Sequence, residues 1–171
     1  DLGGNIMTAS GAAVPGVGIA FEHEDGAYSS NGSVDGSYSF SEIPGCGVES
    51  LVLSKEGDLL DGVTTYDLVI ISKHILSIQT LDTPYEFIAA DVNNSGTITT
   101  LDIITLRKAI LGYIDEFTNN TSWRLVPENH PFPAAADALN GGWDATVDFN
   151  GLLSMDYFND LDAVKIGNVN H

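Results

Sequence analysis

The run Asp91-Val92-Asn93-Asn94-Ser95-Gly96-Thr97-Ile98-Thr99-Thr100-Leu101-Asp102 puts oxygen-bearing side chains at its first, third, fifth and twelfth positions, glycine at the sixth and a backbone carbonyl at the seventh. A calcium ion takes six or more oxygens at about 2.3–2.6 Å. Alternate residues of a tight loop can turn Asp91, Asn93 and Ser95 inward while Thr97 offers its carbonyl. Gly96 permits the sharp turn. Asp102 closes the shell from the first turn of the following helix, where its charge also suits the positive helix end. An EF-hand carries Glu at that position, so the shorter Asp is a departure. The metal-free alternative is an Asn/Gly turn followed by a capped helix.

The segment after this loop has a copy upstream. TTYDLVIISKHIL at Thr64–Leu76 repeats as TTLDIITLRKAIL at Thr99–Leu111, so Asp67 corresponds to Asp102 and Lys73 to Lys108. The loop of the first copy, GDLLDGVTTYD, is shorter: Gly62 stands five residues before Asp67, against six between Gly96 and Asp102. Asp58, Asp61, the Val63 carbonyl and Asp67 can still hold a calcium with water completing the shell, because calcium tolerates irregular geometry. Alternatively Asp67 caps its helix while Asp58 and Asp61 are solvated loop acids. The cofactor is Ca2+, at one site in the second copy, with the first copy as a second candidate.

Paired loop-helix repeats closed by Asp resemble type I dockerin modules, here over about Gly57 to Tyr113. The resemblance implies two antiparallel helices behind calcium loops and docking onto a cohesin through positions just after each loop. Those positions are Thr65, Tyr66, Ser72 and Lys73 in the first copy and Thr100, Leu101, Arg107 and Lys108 in the second. The two sets are unlike each other. The first copy also departs from the family by its short loop and by Leu59 where an oxygen ligand is expected.

The elements around these residues read separately. Leu68, Ile71, Ile75 and Ile78 share one face at helical spacing, as do Ile103, Leu106 and Ile110, so two short helices share a small core. His74 falls beside Lys73 on the polar side. Pro84, followed by Tyr85, Phe87 and Ile88, predicts a short connecting helix. Upstream, GNIMTASG, GVGIAFEHEDG, DGSYSFSEIPG and VESLVLSKEG read as alternating strands between turn clusters. The run Asp35–Gly45 resembles carboxypeptidase-regulatory-like and collagen-adhesin B-type repeats, prealbumin-like modules in which Tyr38 and Phe40 face the core and Asp35-Gly36 turns. Downstream, a strand falls at Ser122–Val126, AAADALNGGWD reads as loop, and the remainder as two or three strands, the last being VKIGNVN.

The expected fold is α+β: a small antiparallel β sandwich (1–55), an inserted or appended dockerin-like helix pair (56–115) and a C-terminal β segment packed on the rest (116–171). Such a layout resembles the C-terminal regions of large secreted surface proteins of Bacteroidetes type. The net charge of −18, from 24 acids and 6 bases, excludes nucleic acid and anionic membrane surfaces, which require a positive footprint. It favours calcium. Most of Asp144, Asp148, Asp156, Asp160 and Asp162 read as solvated surface, a third cation site being the alternative. Cys46 alone makes no internal disulfide and reads as a small buried hydrophobe in a tight turn. No run of 18 apolar residues and no signal peptide is present, and a start at Asp1 is consistent with a processed or excised segment.

Sequons fall at Asn31, Asn93, Asn119 and Asn120, of which Asn119 and Asn120 suit a glycan and Asn93 conflicts with its place as a ligand. The sequence holds no GxSxG, no HExxH and no phosphate-cradling loop, and His23, His74, His130 and His171 lack ligand spacing, so a non-catalytic role is expected. Three functions follow for an extracellular or cell-surface protein. The first is a calcium-stiffened structural block of an appendage, adhesin or filament, whose partners are copies of itself joined through edge strands or the segments Asp1–Thr8 and Ala163–Asn170. The second is a dockerin-type module binding a cohesin-like protein. The third is an accessory region of a secreted hydrolase.

Overall fold

The copied segments fold as helices of equal length, α1 (Thr65–Ile75) and α3 (Thr100–Ile110), with α2 (Pro84–Ala90) between them. The computed structural model describes residues 2–23, 26–40, 50–143, 146–148, 157–158 and 160–170. Each helix opens with a capping box: Thr64 with Asp67, Thr83 with Glu86, and Thr99 with Asp102. Pro84 occupies the first turn of α2, where its missing N–H costs nothing. At the far ends Gly112 turns left-handed (φ +71°) after α3, and the corresponding Ser77 does so after α1 (φ +56°). That stop removes Ile78 from the apolar face predicted for it, leaving it 69% exposed.

The chain divides into two units. The second unit, 56–124 with 131–143 and 164–171, holds the three helices. Its α1 and α3 pack on each other, with Ile71, Leu106 and Ala109 buried. Phe87, Ile88, Ala89 and Ala90 of α2 are all buried, and α2 packs against a 3-10 helix at Ala135–Asn140 where the sequence predicts loop. Trp143 holds that helix through a 2.8 Å bond from Nε1 to the Ala138 carbonyl. His74 is no surface residue: its Nδ1 accepts the Leu81 N–H and its ring meets the Phe87 ring edge-on at 5.2 Å.

The first unit, 1–55 with 125–130 and 144–163, is built on two sheets. Its strands are β1 (Leu2–Thr8), β2 (Gly18–His23), β3 (Gly26–Asn31), β4 (Ser37–Phe40), β5 (Ser50–Ser54), β7 (Thr146–Asp148) and β8 (Tyr157–Phe158), with β6 (Trp123–Pro127) from Leu125 and β9 (Leu161–Lys165) up to Ala163. One sheet runs β4-β1-β9-β6 with β8 also on β1, and the other runs β3-β2-β5-β7. Within 1–55 the described pairings are antiparallel, β1 with β4 and β2 with β3 and β5, as the sequence predicts. β1 pairs antiparallel with β4 but parallel with β8 and β9, a pairing that needs a long crossover, and the chain between them supplies one. Ala27–Asn31 holds one large apolar side chain, Tyr28, among small and polar residues, too few for an alternating pattern, which is why β3, paired with β2, is missing from the sequence reading.

Ile6, Val17, Ile19, Tyr38, Leu53 and Leu161 are buried in this unit. Asp35 and Gly36 form the turn before β4: Asp35 Oδ1 accepts the Ser37 N–H and hydroxyl, which lowers its pKa, while Gly36 sits at φ +80°. The Phe40 side chain, the stretch 41–49 with Cys46, and Asp144 and Asp156 lie outside the described residues, as does the side chain of Asp148. The closing VKIGNVN is a strand only to Lys165, because Gly167 turns the backbone (φ +86°). Leu106 is fully buried, and a Cβ built on Gly167 would lie 2.6 Å from its Cδ1. Leu106→Ala is therefore expected to destabilise the second unit by about 3 kcal/mol, measured by chemical denaturation, with the first-unit strands retaining their hydrogen-exchange protection.

Candidate metal centre and docking face

Asp91 ends α2, and its carboxylate folds back over the loop that follows. Oδ1 accepts the Ser95 N–H at 2.9 Å and Oδ2 the Gly96 N–H at 2.8 Å, drawing the chain into a tight ring. Asn94 (φ +53°) and Gly96 (φ +75°) take the left-handed conformations the ring requires, and a Cβ on Gly96 would press to 3.2 Å from the Leu139 carbonyl. The Ser95 hydroxyl lies 3.0 Å from the Thr97 carbonyl. Asp102, fully buried, accepts the Thr99 N–H at 2.8 Å on Oδ2 and the Asn93 N–H at 3.1 Å on Oδ1. Hydrogen bonds within the loop thus join Asp91 to Ser95, Ser95 to the Thr97 carbonyl and Asp102 to the Asn93 N–H.

Two observations show that these groups suit a hard cation. Asn93 Oδ1 is buried without a hydrogen-bond partner, a costly arrangement for a carbonyl oxygen unless a cation or donor meets it. Burial pushes the Asp102 carboxyl above its ordinary pKa, against the Thr99 and Asn93 hydrogen bonds, and the Asp91 charge adds to the rise. Two carboxylates sharing a part-buried loop with neutral oxygens are the donor set that calcium stabilises.

Residues the sequence reading did not assign hold this loop from outside. Asn120 Nδ2 donates to the carbonyls of Asp91 (3.1 Å) and Val92 (3.2 Å), and the Arg124 guanidinium donates to Asn94 Oδ1 (2.9 Å) while lying 4.6 Å from the Trp143 ring centre. Only the sequon drew attention to Asn120. Its amide nitrogen is committed to the loop, and a glycan there would take one of the two hydrogens those bonds use, whereas Asn119 is exposed.

The first copy repeats the cap but not the ring. Asp67 is fully buried, and its Oδ2 accepts the Thr64 N–H (2.8 Å) and hydroxyl (3.0 Å). Asp58 Oδ1 instead accepts the Leu60 N–H, while Val63 donates its N–H to the Leu60 carbonyl. Among the described residues no three of His, Cys, Asp and Glu converge as a metal site, Asp58, Asp61 and Asp67 included. Asp160 and Asp162 are described: Asp160 Oδ1 accepts the Asn5 N–H at 2.7 Å.

The helices present matching apolar residues to solvent: Tyr66 and Leu101 (55% and 60% exposed), Val69 and Ile104, and Leu76 and Leu111. Thr65, Thr100, Arg107 and Lys108 are exposed, and Ser72 and Lys73 half-buried.

Residues 61–111 match the family model of the dockerin type I domain. This part of the chain is a type I dockerin-like domain, a non-catalytic binding module of a class that binds calcium and occurs in secreted or cell-surface proteins. No curated protein and no solved structure matches the chain. Among the described residues no helix is long and apolar enough to cross a membrane. Asp91→Ala, which removes a candidate ligand and both hydrogen bonds that shape the ring, is expected to weaken calcium binding on the order of 100-fold, about 2.7 kcal/mol, in a calorimetric titration.

Proposed function

We propose that the helical unit is a calcium-ordered docking module that attaches its polypeptide to a cohesin-like receptor outside the cell. The observation that carries this reading is the exposed apolar set repeated on both copies, Tyr66 with Leu101 and Val69 with Ile104, at and beside the positions the family uses for docking. Large apolar side chains on a small helical unit cost solubility unless a partner covers them. Thr65, Lys73, Thr100, Arg107 and Lys108 supply a polar rim around that centre. Calcium held by Asp91, Asn93, Ser95, Thr97 and Asp102 fixes the start of α3, and with it the direction in which Leu101 points.

The alternative is the self-assembling block of an appendage, adhesin or filament. That reading joins copies through edge strands or the terminal segments; of these, Asp1–Thr8 has β4 on one side of β1 and β8 and β9 on the other, and no feature of the other described edges supports self-assembly as the repeated apolar set supports docking. The docking reading is therefore preferred. It also accommodates an accessory role beside a secreted hydrolase, since a docking module serves whatever chain carries it.

Leu101→Asp and Tyr66→Asp are expected to lower affinity for a cohesin receptor by about tenfold or more each, with calcium affinity unchanged. A panel of cohesin modules titrated by calorimetry, in calcium and in chelator, is the measurement. Sizing of the isolated chain accompanies it: a monomer in calcium agrees with docking, and calcium-dependent growth of the particle mass would replace it with the self-assembling block.

A further inference from the structure

The two buried carboxylates differ in one bond. Asp102 Oδ1 takes its N–H from Asn93, inside its own loop, whereas Asp67 Oδ1 takes the Val169 N–H at 2.7 Å from the far end of the chain. The short first loop has Leu59 in Asn93's place, and the N–H that meets Asp67 Oδ1 comes from the closing segment instead.

That segment is built into the unit along its length. Val164, Ile166 and Val169 are buried, the Ile166 N–H bonds the Ser122 carbonyl, and the Gly167 N–H bonds the Ala89 carbonyl. Gly62, left-handed like Gly96, turns directly against it: a Cβ there would lie 2.6 Å from Asn168 Nδ2. The turn that shapes an ion pocket in the second copy is packed with peptide in the first.

The segment also brings a cation. Lys165 is 4% exposed, and its Nζ donates to the Leu59 carbonyl within the first loop (2.9 Å) and to the Ser122 carbonyl (3.3 Å), with the Trp123 ring centre 5.8 Å away. Burial pulls its pKa down to about 8, against the charges of Asp61, Asp58 and Glu56, so the ammonium persists at neutral pH. Divalent calcium brought among the same acids would meet that charge at the Leu59 carbonyl.

We propose that the first repeat takes no calcium: the C-terminal segment Val164–Asn170 replaces it, Lys165 serving as the counter-ion of the loop acids and Val169 supplying the N–H that closes the Asp67 cap. The dockerin-like fold is then discontinuous in sequence, with a mineral cation in one half and a covalently tethered one in the other.

The test separates this inference from the calcium reading of the second loop, because it is made with that loop disabled. Asp91→Ala protein, titrated with calcium by equilibrium dialysis, is expected to bind none at millimolar concentration. A remaining stoichiometric site that Asp61→Asn removes would overturn the proposal. Hydrogen exchange on the unmodified chain needs no variant to fold: the Val169 amide is expected to keep its protection in chelator, and a tenfold or greater loss there would count against it equally. Wild-type protein that binds no calcium at all would sink the metal centre of the second loop and leave the tethered cation standing.

Discussion

A carboxylate removed from water at the start of a helix must have its oxygens met by donors, and the helical unit is organised around two such groups. Asp67 and Asp102 are both fully buried, and each satisfies Oδ2 from the threonine three residues before it. That much is local and repeats exactly because the sequence repeats. The remaining oxygen demands a backbone N–H from outside the helix. The second copy finds it nine residues upstream and the first 102 residues downstream. From that single difference follow a self-contained loop on one side and dependence on the end of the chain on the other.

The same geometry sets what faces outward. A helix that buries its third residue and its seventh turns the second and fifth away, so Tyr66 and Leu101, and Val69 and Ile104, are exposed as the counterpart of buried Asp67, Asp102, Ile71 and Leu106. Fixing the cap therefore fixes which apolar residues face outward. A net charge of −18 opposes association of such apolar surfaces and attracts cations to the chain as a whole.

The first unit has a different logic. β1 is placed beside β8 and β9, strands at the other end of the chain, and β5 beside β7. A parallel pairing of that kind cannot close until the intervening chain has folded or looped out, so its sheet is bound to a long-range contact rather than to a local hairpin.

The sequence by itself determined the oxygen-rich spacing of the second loop, the duplicated helices and the connecting helix, because each rests on local spacing: Asp91 to Asp102, Thr64–Leu76 repeated at Thr99–Leu111, and Pro84 ahead of Tyr85, Phe87 and Ile88. It also placed most strands, since alternation is local. Only the tertiary structure decided what lies between distant residues. No periodicity joins Val169 to Asp67 or Lys165 to Leu59, and Asn120 reads as a sequon until its amide is seen on the Asp91 and Val92 carbonyls. His74 reads as polar surface for the same reason, its partner Leu81 lying beyond the helix end. Those contacts are chosen by the need to satisfy buried polar groups, and the donor that does so is the one the fold brings near, wherever it stands in the chain.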